Sequence, residues 1–266
     1  MRRMNSGFSR ELLIRGGMLA GIFREWSSWV YPFVCELCGC GSPDGRYVCP
    51  ACRKRFIPIE PPFCAVCGEP AEGSFIPGGM CSRCAGDAPS FGEARAVYVN
   101  DGELRELLLS FKYAGALHLA GTFAGIMAEA VRENRHWFGG RECLLVPVPM
   151  HRLKLVRRGY NQAEELAVLL GKELGWAVSR VLKRLPDRMP QASLAREQRL
   201  RHARKIYAVH ESRLKRRPVR GRDILLVDDV FTTGATADAC SRLLLRAGAS
   251  SVCVLTLART HHAWHG

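Results

Sequence analysis

Residues 223–239 read DILLVDDVFTTGATADA. Four apolar residues, Ile224 to Val227, run into two adjacent carboxylates, Asp228 and Asp229, and a loop of small and hydroxyl residues follows: Thr232, Thr233, Gly234, Ala235 and Thr236. The apolar run reads as a buried strand. At the carboxyl end of a parallel strand, side chains meet a crevice open to ligand. Two like charges are costly to bury there unless something uses them. Sugar hydroxyls donate to carboxylates, and Mg²⁺ can be held near them directly or through water. The TTGAT segment supplies backbone N–H groups, three hydroxyls and a helix N-terminus, which together suit a phosphate dianion. Gly234 lets the backbone approach the phosphate oxygens. The stretch as a whole reads as a grip on a ribose phosphate, with the diol on the acids and the phosphate on the loop. Turn residues followed by a Thr N-cap would account for either half; both halves in order behind Ile-Leu-Leu-Val are rare by chance. The chain has no Walker Gly-Lys-Ser/Thr and no usable GxGxxG after a strand.

Working outward, the flanking segments alternate. ARAVYV (94–99), ECLLVPVP (142–149), DILLVDD (223–229) and SSVCVLTLAR (250–259) read as strands; AVSRVLKRL (177–185) and KIYAV (205–209) read as further strands. GELRELLLSFKYAG (102–115), LHLAGTFAGIMAEAVREN (117–134), NQAEELAVLLGKEL (161–174) and ATADACSRLLLRAG (235–248) carry apolar residues at three- and four-residue spacing and read as helices. Alternating strands and helices predict an α/β fold with a parallel sheet flanked by helices. Residues 186–205 are basic, polar and weakly patterned, and read as a long loop.

Upstream of Phe91 the composition changes. Nine of the twelve cysteines fall between Cys35 and Cys84, in a stretch rich in Gly and Pro with few long apolar runs. Such a segment needs a staple to fold. Four Cys-x-x-Cys pairs provide one: Cys35/Cys38, Cys49/Cys52, Cys64/Cys67 and Cys81/Cys84. Two pairs supply the four thiolates of a closed tetrahedral zinc site, so four pairs predict two structural zinc ions in a double zinc ribbon. The spacing allows sequential or interleaved sites; sequential grouping closes the shorter loops. Cys40 is left over, and Cys143, Cys240 and Cys253 sit singly in apolar segments as small hydrophobes. The expected organisation is an N-terminal amphipathic helical segment over 1–33, the double zinc ribbon over 34–90, and the α/β domain over 91–266.

The 266-residue chain carries a net charge of +14. Residues 152–222 hold twenty Lys and Arg against six Asp and Glu, so the surplus is local. A basic surface raises the odds of an anionic partner, whether phosphorylated metabolite, nucleic acid or membrane surface. Near the N-terminus, Leu12, Leu13, Met18, Leu19, Ile22, Phe23 and Trp26 suit an amphipathic helix, while charged residues interrupt every run long enough for a membrane span. The expectation is a cytoplasmic protein with reduced thiols and no transmembrane segment.

The DDVFTTGAT stretch resembles the phosphoribosyl-pyrophosphate (PRPP) motif of type I phosphoribosyltransferases. With VPVPMHRLKLVRRGYNQAEELA (146–167), FKYAG (111–115) and the four cysteine pairs, the order of parts over roughly 30–260 resembles the ComF family, whose members are phosphoribosyltransferase-like and in several cases linked to natural competence. The resemblance implies a type I phosphoribosyltransferase-like sheet behind the zinc module. It implies that Asp228 and Asp229 hold the ribose hydroxyls as the catalytic acids, that Thr232, Thr233, Gly234, Ala235 and Thr236 hold the 5′-phosphate, and that the loop with His151, Arg152 and Arg158 corresponds to the pyrophosphate loop. Arg157 joins those cations, and Arg188, Arg196 and Arg199 are candidates to close over the site. Gln191, Leu194, Arg199 and Tyr207 fit a further family segment, from which His202 departs by standing where an Asn is usual. The implied activity is PRPP binding with Mg²⁺ and transfer of phosphoribose to a nitrogenous acceptor with loss of pyrophosphate. The alternatives are a competence protein that binds single-stranded DNA or other competence proteins without catalysis, and a PRPP-sensing regulator.

Overall fold

The computed structural model describes residues 33–42, 44–70, 79–186, 206–216 and 219–260. The N-terminal amphipathic segment and the positions Arg188, Gln191, Leu194, Arg196, Arg199 and His202 lie outside the described residues. Two compact units divide the chain after Arg53.

In the first unit, Cys35, Cys38, Cys49 and Cys52 bring their sulfurs within 4.8 Å of one another. The turn after Cys35 closes by the Gly39 N–H donating to the Cys35 carbonyl at 2.9 Å, with Gly39 at φ +71°. A one-turn helix, α1 (Pro50–Arg53), carries Cys52 inward. The Phe33 and Tyr47 rings meet edge to face at 5.2 Å.

The larger unit begins with a second copy of this device. Cys64, Cys67, Cys81 and Cys84 also lie with all sulfurs within 4.8 Å. Here the Gly68 N–H donates to the Cys64 carbonyl at 2.8 Å, and helix α2 (Ser82–Gly86) carries Cys84. Gly68 sits at φ +69°, and a Cβ there would stand 2.6 Å from the Ala94 carbonyl, so the ribbon turn lies directly on a strand of the sheet.

That strand is β1 (Glu93–Val99), followed by α3 (Gly102–Tyr113), α4 (Leu119–Glu133), β2 (Leu144–Pro147), α5 (Arg152–Arg158), α6 (Gln162–Leu174), β3 (Leu182–Arg184), β4 (Tyr207–Val209), α7 (Glu211–Arg216), β5 (Asp223–Phe231), α8 (Ala235–Arg246) and β6 (Ser251–Arg259). The sheet runs β1-β6-β5-β2 with every pairing parallel. The edge strand β1 alternates, burying Ala94, Ala96 and Tyr98, while Ile224 to Val227 of the inner strand β5 are all buried. That contrast is what two covered faces demand of an inner strand. Helix α3 buries Leu104, Leu107, Leu108 and Phe111, a single stripe at three- and four-residue spacing. Helix α6 packs on β5 and β2, and α4 packs on α6. Helix α8 contributes Cys240 and Leu244 to the core that holds Ile224, Leu226, Val252 and Val254.

Two expectations change in detail. The 177–185 segment is split: Val178 bridges Leu145 of β2 in parallel register, and only Leu182–Arg184 form the short strand β3, which pairs antiparallel with β4 outside the parallel sheet. Its basic residues leave too little apolar surface for an inner strand. Helix α5 has no apolar pattern to announce it: none of its residues is buried.

Candidate functional site

The acids do not end their strand. Strand β5 runs on through Asp228 and Asp229 to Phe231, pairing Asp228 with Thr256 and Phe231 with Arg259 of β6. Successive side chains of a strand point to opposite faces. Asp228 therefore continues the row of Ile224 and Leu226 towards α8, and Asp229 continues the row of Leu225 and Val227 on the other face. The ion partner of Asp229 agrees with this: its Oδ2 lies 3.0 Å from the Lys112 ammonium at the end of α3. The Asp228 Oδ1 accepts the Asp229 N–H at 2.9 Å. Burial first, and then the neighbouring Asp229 carboxylate, push the Asp228 carboxyl up to about 8, against the pull of that N–H and of Lys112.

The loop after the strand turns at Gly234, whose φ of +80° lies in the left-handed region, and α8 begins at Ala235. A Cβ on Gly234 would stand 2.9 Å from the Phe231 Cζ. The Thr233 hydroxyl accepts the Ala235 N–H at 3.4 Å. The first-turn amides of a helix have no intrahelical acceptor, so Ala235, Thr236 and Ala237 present their N–H groups at the loop, and the first ladder bond is Asp238 N–H to the Gly234 carbonyl at 2.8 Å. Thr232 is exposed and Thr236 half-buried. The acids and the first-turn amides of the loop thus sit at one end of β5.

The second side of the site is assembled from the VPVPMHRLKLVRRGYNQ segment. His151 caps α5, its Nδ1 accepting the Leu153 N–H at 3.2 Å. Arg152 is exposed at the first position of that helix, and Gly159 ends it at φ +84°. Arg158 stacks over the Tyr113 ring at 4.5 Å and donates to Gln162 Oε1 at 3.1 Å. The hydroxyl of Tyr160 and the Gln162 amide (3.2 Å) both donate to the Phe111 carbonyl, and Asn161 Nδ2 donates to the Val148 carbonyl at 3.0 Å. Tyr160, Asn161 and Gln162 thus act as a brace: they tie the loop after β2 to the last turn of α3, the turn that carries Lys112. This explains why FKYAG and RRGYNQ belong together in the sequence.

Three more residues stand at the site. Tyr207 is buried on β4, and burial, with Cys240 and then Asp228 as neighbours, pushes its phenol up to about 12 despite the opposing Arg184 and Thr236. Arg184 on β3 lies over the Tyr207 ring at 5.5 Å, with its Nε buried and without a hydrogen-bond partner among the described residues. Lys154 on α5 has its ammonium lowered, first by burial and then by the nearby Arg184 and Arg158 cations. No motif or spacing singles out Lys112, Lys154 or Arg184 from the other basic residues. Their proximity comes from the packing of α3, α5 and the β3–β4 pair.

Both cysteine clusters have the donor set of a structural zinc site: four sulfurs within reach of one ion, in sequential grouping. Backbone amides point at the sulfurs, Cys49 N–H to Cys35 Sγ at 3.4 Å and Cys81 N–H to Cys64 Sγ at 3.3 Å. Burial alone would raise the Cys64 thiol, but the amides of Cys67, Cys81 and Val66 bring it down to about 7, while burial, and then the Cys67 sulfur at Cys84, raise the Cys81 and Cys84 thiols of the same cluster.

Residues 26–85 match the family described as double zinc ribbon domain. The DNA utilization protein YhgH of Salmonella typhimurium is 30% identical over 234 residues, covering 86% of this chain and 98% of its own. Competence protein ComFC of Bacillus subtilis is 27% identical over 230 residues, covering 82% and 86%. Among solved structures, adenine phosphoribosyltransferase from Thermoanaerobacter pseudethanolicus is 15% identical, with 64% of this chain and 92% of that chain covered at a TM-score of 0.34. Among the described residues, no helix is long and apolar enough to cross a membrane.

Proposed function

As the chain belongs to the ComF family, we propose that it binds PRPP and acts as a phosphoribosyltransferase-like protein in DNA utilization or nucleotide metabolism, in a cytoplasmic setting that keeps its zinc-binding thiols reduced. The observation that carries this reading is the shared end of β5, where Asp228 and Asp229 stand three residues before the amides and hydroxyls of Thr232 to Thr236. In this reading the Asp228 and Asp229 side chains accept from the ribose hydroxyls, and the loop amides hold the 5′-phosphate. Lys112 holds the Asp229 carboxylate in place. The loop of His151, Arg152 and Arg158, with Lys154 and Arg184, supplies the positive field in which pyrophosphate leaves towards solvent and a nitrogenous acceptor takes the anomeric carbon. Mg²⁺ bound with PRPP would neutralise pyrophosphate charge, and the carboxylates are the residues suited to hold it. The zinc ions are structural, on Cys35, Cys38, Cys49 and Cys52 and on Cys64, Cys67, Cys81 and Cys84.

Calorimetric titration with PRPP and Mg²⁺ tests binding, with the Asp228→Ala/Asp229→Ala double variant as the comparison. Saturable heat in the native chain and its loss in the variant are expected; no heat in the native chain refutes the reading. Pyrophosphate release across a panel of nitrogenous bases then separates an enzyme from a PRPP-sensing regulator.

A second reading, single-stranded DNA binding, is favoured by one observation. Helix α5 offers Arg152, Lys154 and Arg157 on a largely exposed segment, next to exposed Leu153 and Val156. Binding there is expected to weaken steeply between 50 and 200 mM salt, and salt-independent binding would discard it.

A further inference from the structure

The second cysteine cluster and the phosphate loop share a single buried arginine. Arg259 ends β6 at 1% exposure. Its Nη1 donates to the Cys67 carbonyl at 2.6 Å, and its Nη2 pairs with Glu69 and lies 3.9 Å from the Cys67 sulfur. Arg83 reaches the same groups from α2, 3.4 Å from the Cys67 sulfur and 3.0 Å from Glu69. On its other side the Arg259 guanidinium lies over the Phe231 ring, 4.7 Å from the centroid. Phe231 is wedged edge to face against Phe91 at 5.9 Å, and it is the ring against which Gly234 has room only for hydrogen. A cleft lined by Cys67, Arg83, Cys84, Phe231, Thr233 and Gly234 runs between cluster and loop.

We infer that Arg259 couples metal occupancy at Cys64, Cys67, Cys81 and Cys84 to anion binding at the Thr232–Thr236 loop. A Zn²⁺ held by Cys64, Cys67, Cys81 and Cys84 would fix the turn that carries the Cys67 carbonyl, the acceptor of the Arg259 Nη1. Without the ion that turn loses its tie to the other three cysteines, and the Arg259 guanidinium loses its fixed acceptor at Cys67. A buried cation short of partners moves towards water. Arg259 then leaves the Phe231 ring, and Phe231 no longer fixes the left-handed turn at Gly234 that aims the loop amides. Linkage makes the effect reciprocal: an anion that orders the loop tightens the metal site by the same factor. Arg259 is accordingly a positioning residue, with no contact to ligand required. The inference rests on the reading of the loop as the site of the PRPP 5′-phosphate.

The test uses the full zinc-loaded chain, a zinc-selective chelator and alkylation of each cysteine followed by mass spectrometry, with and without PRPP and Mg²⁺. PRPP is expected to slow labelling of Cys64, Cys67, Cys81 and Cys84 by about fivefold or more. Labelling of Cys35, Cys38, Cys49 and Cys52 serves as the reference within the molecule and is expected to stay unchanged. Arg259→Lys keeps the charge but loses the planar fork and the stacking, and is expected to abolish the protection while both zinc ions still load. Phe231→Leu, which leaves the cluster contacts intact, is expected to do the same. If PRPP binds by calorimetry and the second cluster is labelled at an unchanged rate, the coupling is wrong and the ribose-phosphate reading stands. If PRPP does not bind the zinc-loaded chain, both fall.

Discussion

The Lys112 ammonium lies 3.0 Å from the Asp229 carboxylate, joining the last turn of α3 to the end of β5. The two side chains are 20% and 11% exposed, so the pair is shielded from solvent on most sides. Lys112→Met leaves Asp229 without its counter-charge. We expect a loss of about 2 kcal/mol in unfolding free energy, from the worth of a charged hydrogen bond, and weaker PRPP binding. Lys112→Arg is expected to recover much of the stability. Chemical denaturation and calorimetry measure the two effects separately.

Asp228 titrates far from its usual range. Its folded pKa of about 8 stands above the ordinary value of 3.8, because burial and Asp229 disfavour its charged form. The folded chain thus holds a proton there that the unfolded chain has lost. The group's contribution to stability is complete below about 3.8 and is lost as pH rises through about 8. Asp228→Asn is expected to flatten this decline in melting temperature between pH 5 and 8.5. If a carboxylate is what receives the Mg²⁺-bound ribose, PRPP affinity in the native chain rises over the same interval, by roughly tenfold per pH unit at most below the pKa, and the variant removes the rise.

Gly234→Ala forces an L-residue into φ +80° and sets its Cβ against Phe231. Strain of this kind costs about 1–3 kcal/mol. A lower melting temperature is expected together with a disproportionate loss of PRPP affinity, whereas Gly175→Ala, also left-handed but with open space around it, is expected to cost stability alone.

Native mass spectrometry is expected to find two zinc ions per chain. Cys38→Ser and Cys67→Ser should each remove one. Because Cys67 belongs to the unit that contains the sheet and Cys38 does not, only Cys67→Ser is expected to lower the melting temperature of the larger unit appreciably. Equal destabilisation by both would contradict that division.

The sheet and its helices were legible because each inner strand is a short apolar run and the long helices repeat apolar residues at three- and four-residue spacing, as one stripe on α3 and on most sides of α4. Both patterns are local and periodic. The cysteine grouping was legible in kind, since Cys-x-x-Cys spacing is a property of a turn, but the choice of sequential sites needed the folded chain. The brace of Tyr160, Asn161 and Gln162 on Phe111 and Val148 could not be read ahead, because it pairs residues far apart in sequence through backbone carbonyls, which have no residue signature. The same holds for Lys112, Lys154 and Arg184, which look like any other cations until packing brings Lys112 to Asp229, Arg184 over Tyr207 and Lys154 beside Arg184 and Arg158. Arg259 shows the limit most clearly: it reads as a polar end to a strand, and it is among the most deeply buried side chains of the larger unit.

The solvated helix α5 has a thermodynamic corollary. Seven residues are fewer than an isolated helix needs to persist in water, and this one has no apolar face to anchor it. Its shape depends on the His151 cap, the turn at Gly159 and the stacking of Arg157 and Arg158 on Tyr113. Winding and unwinding therefore differ little in free energy there, and an arriving polyanion can recast the segment around itself while the sheet beneath keeps its form.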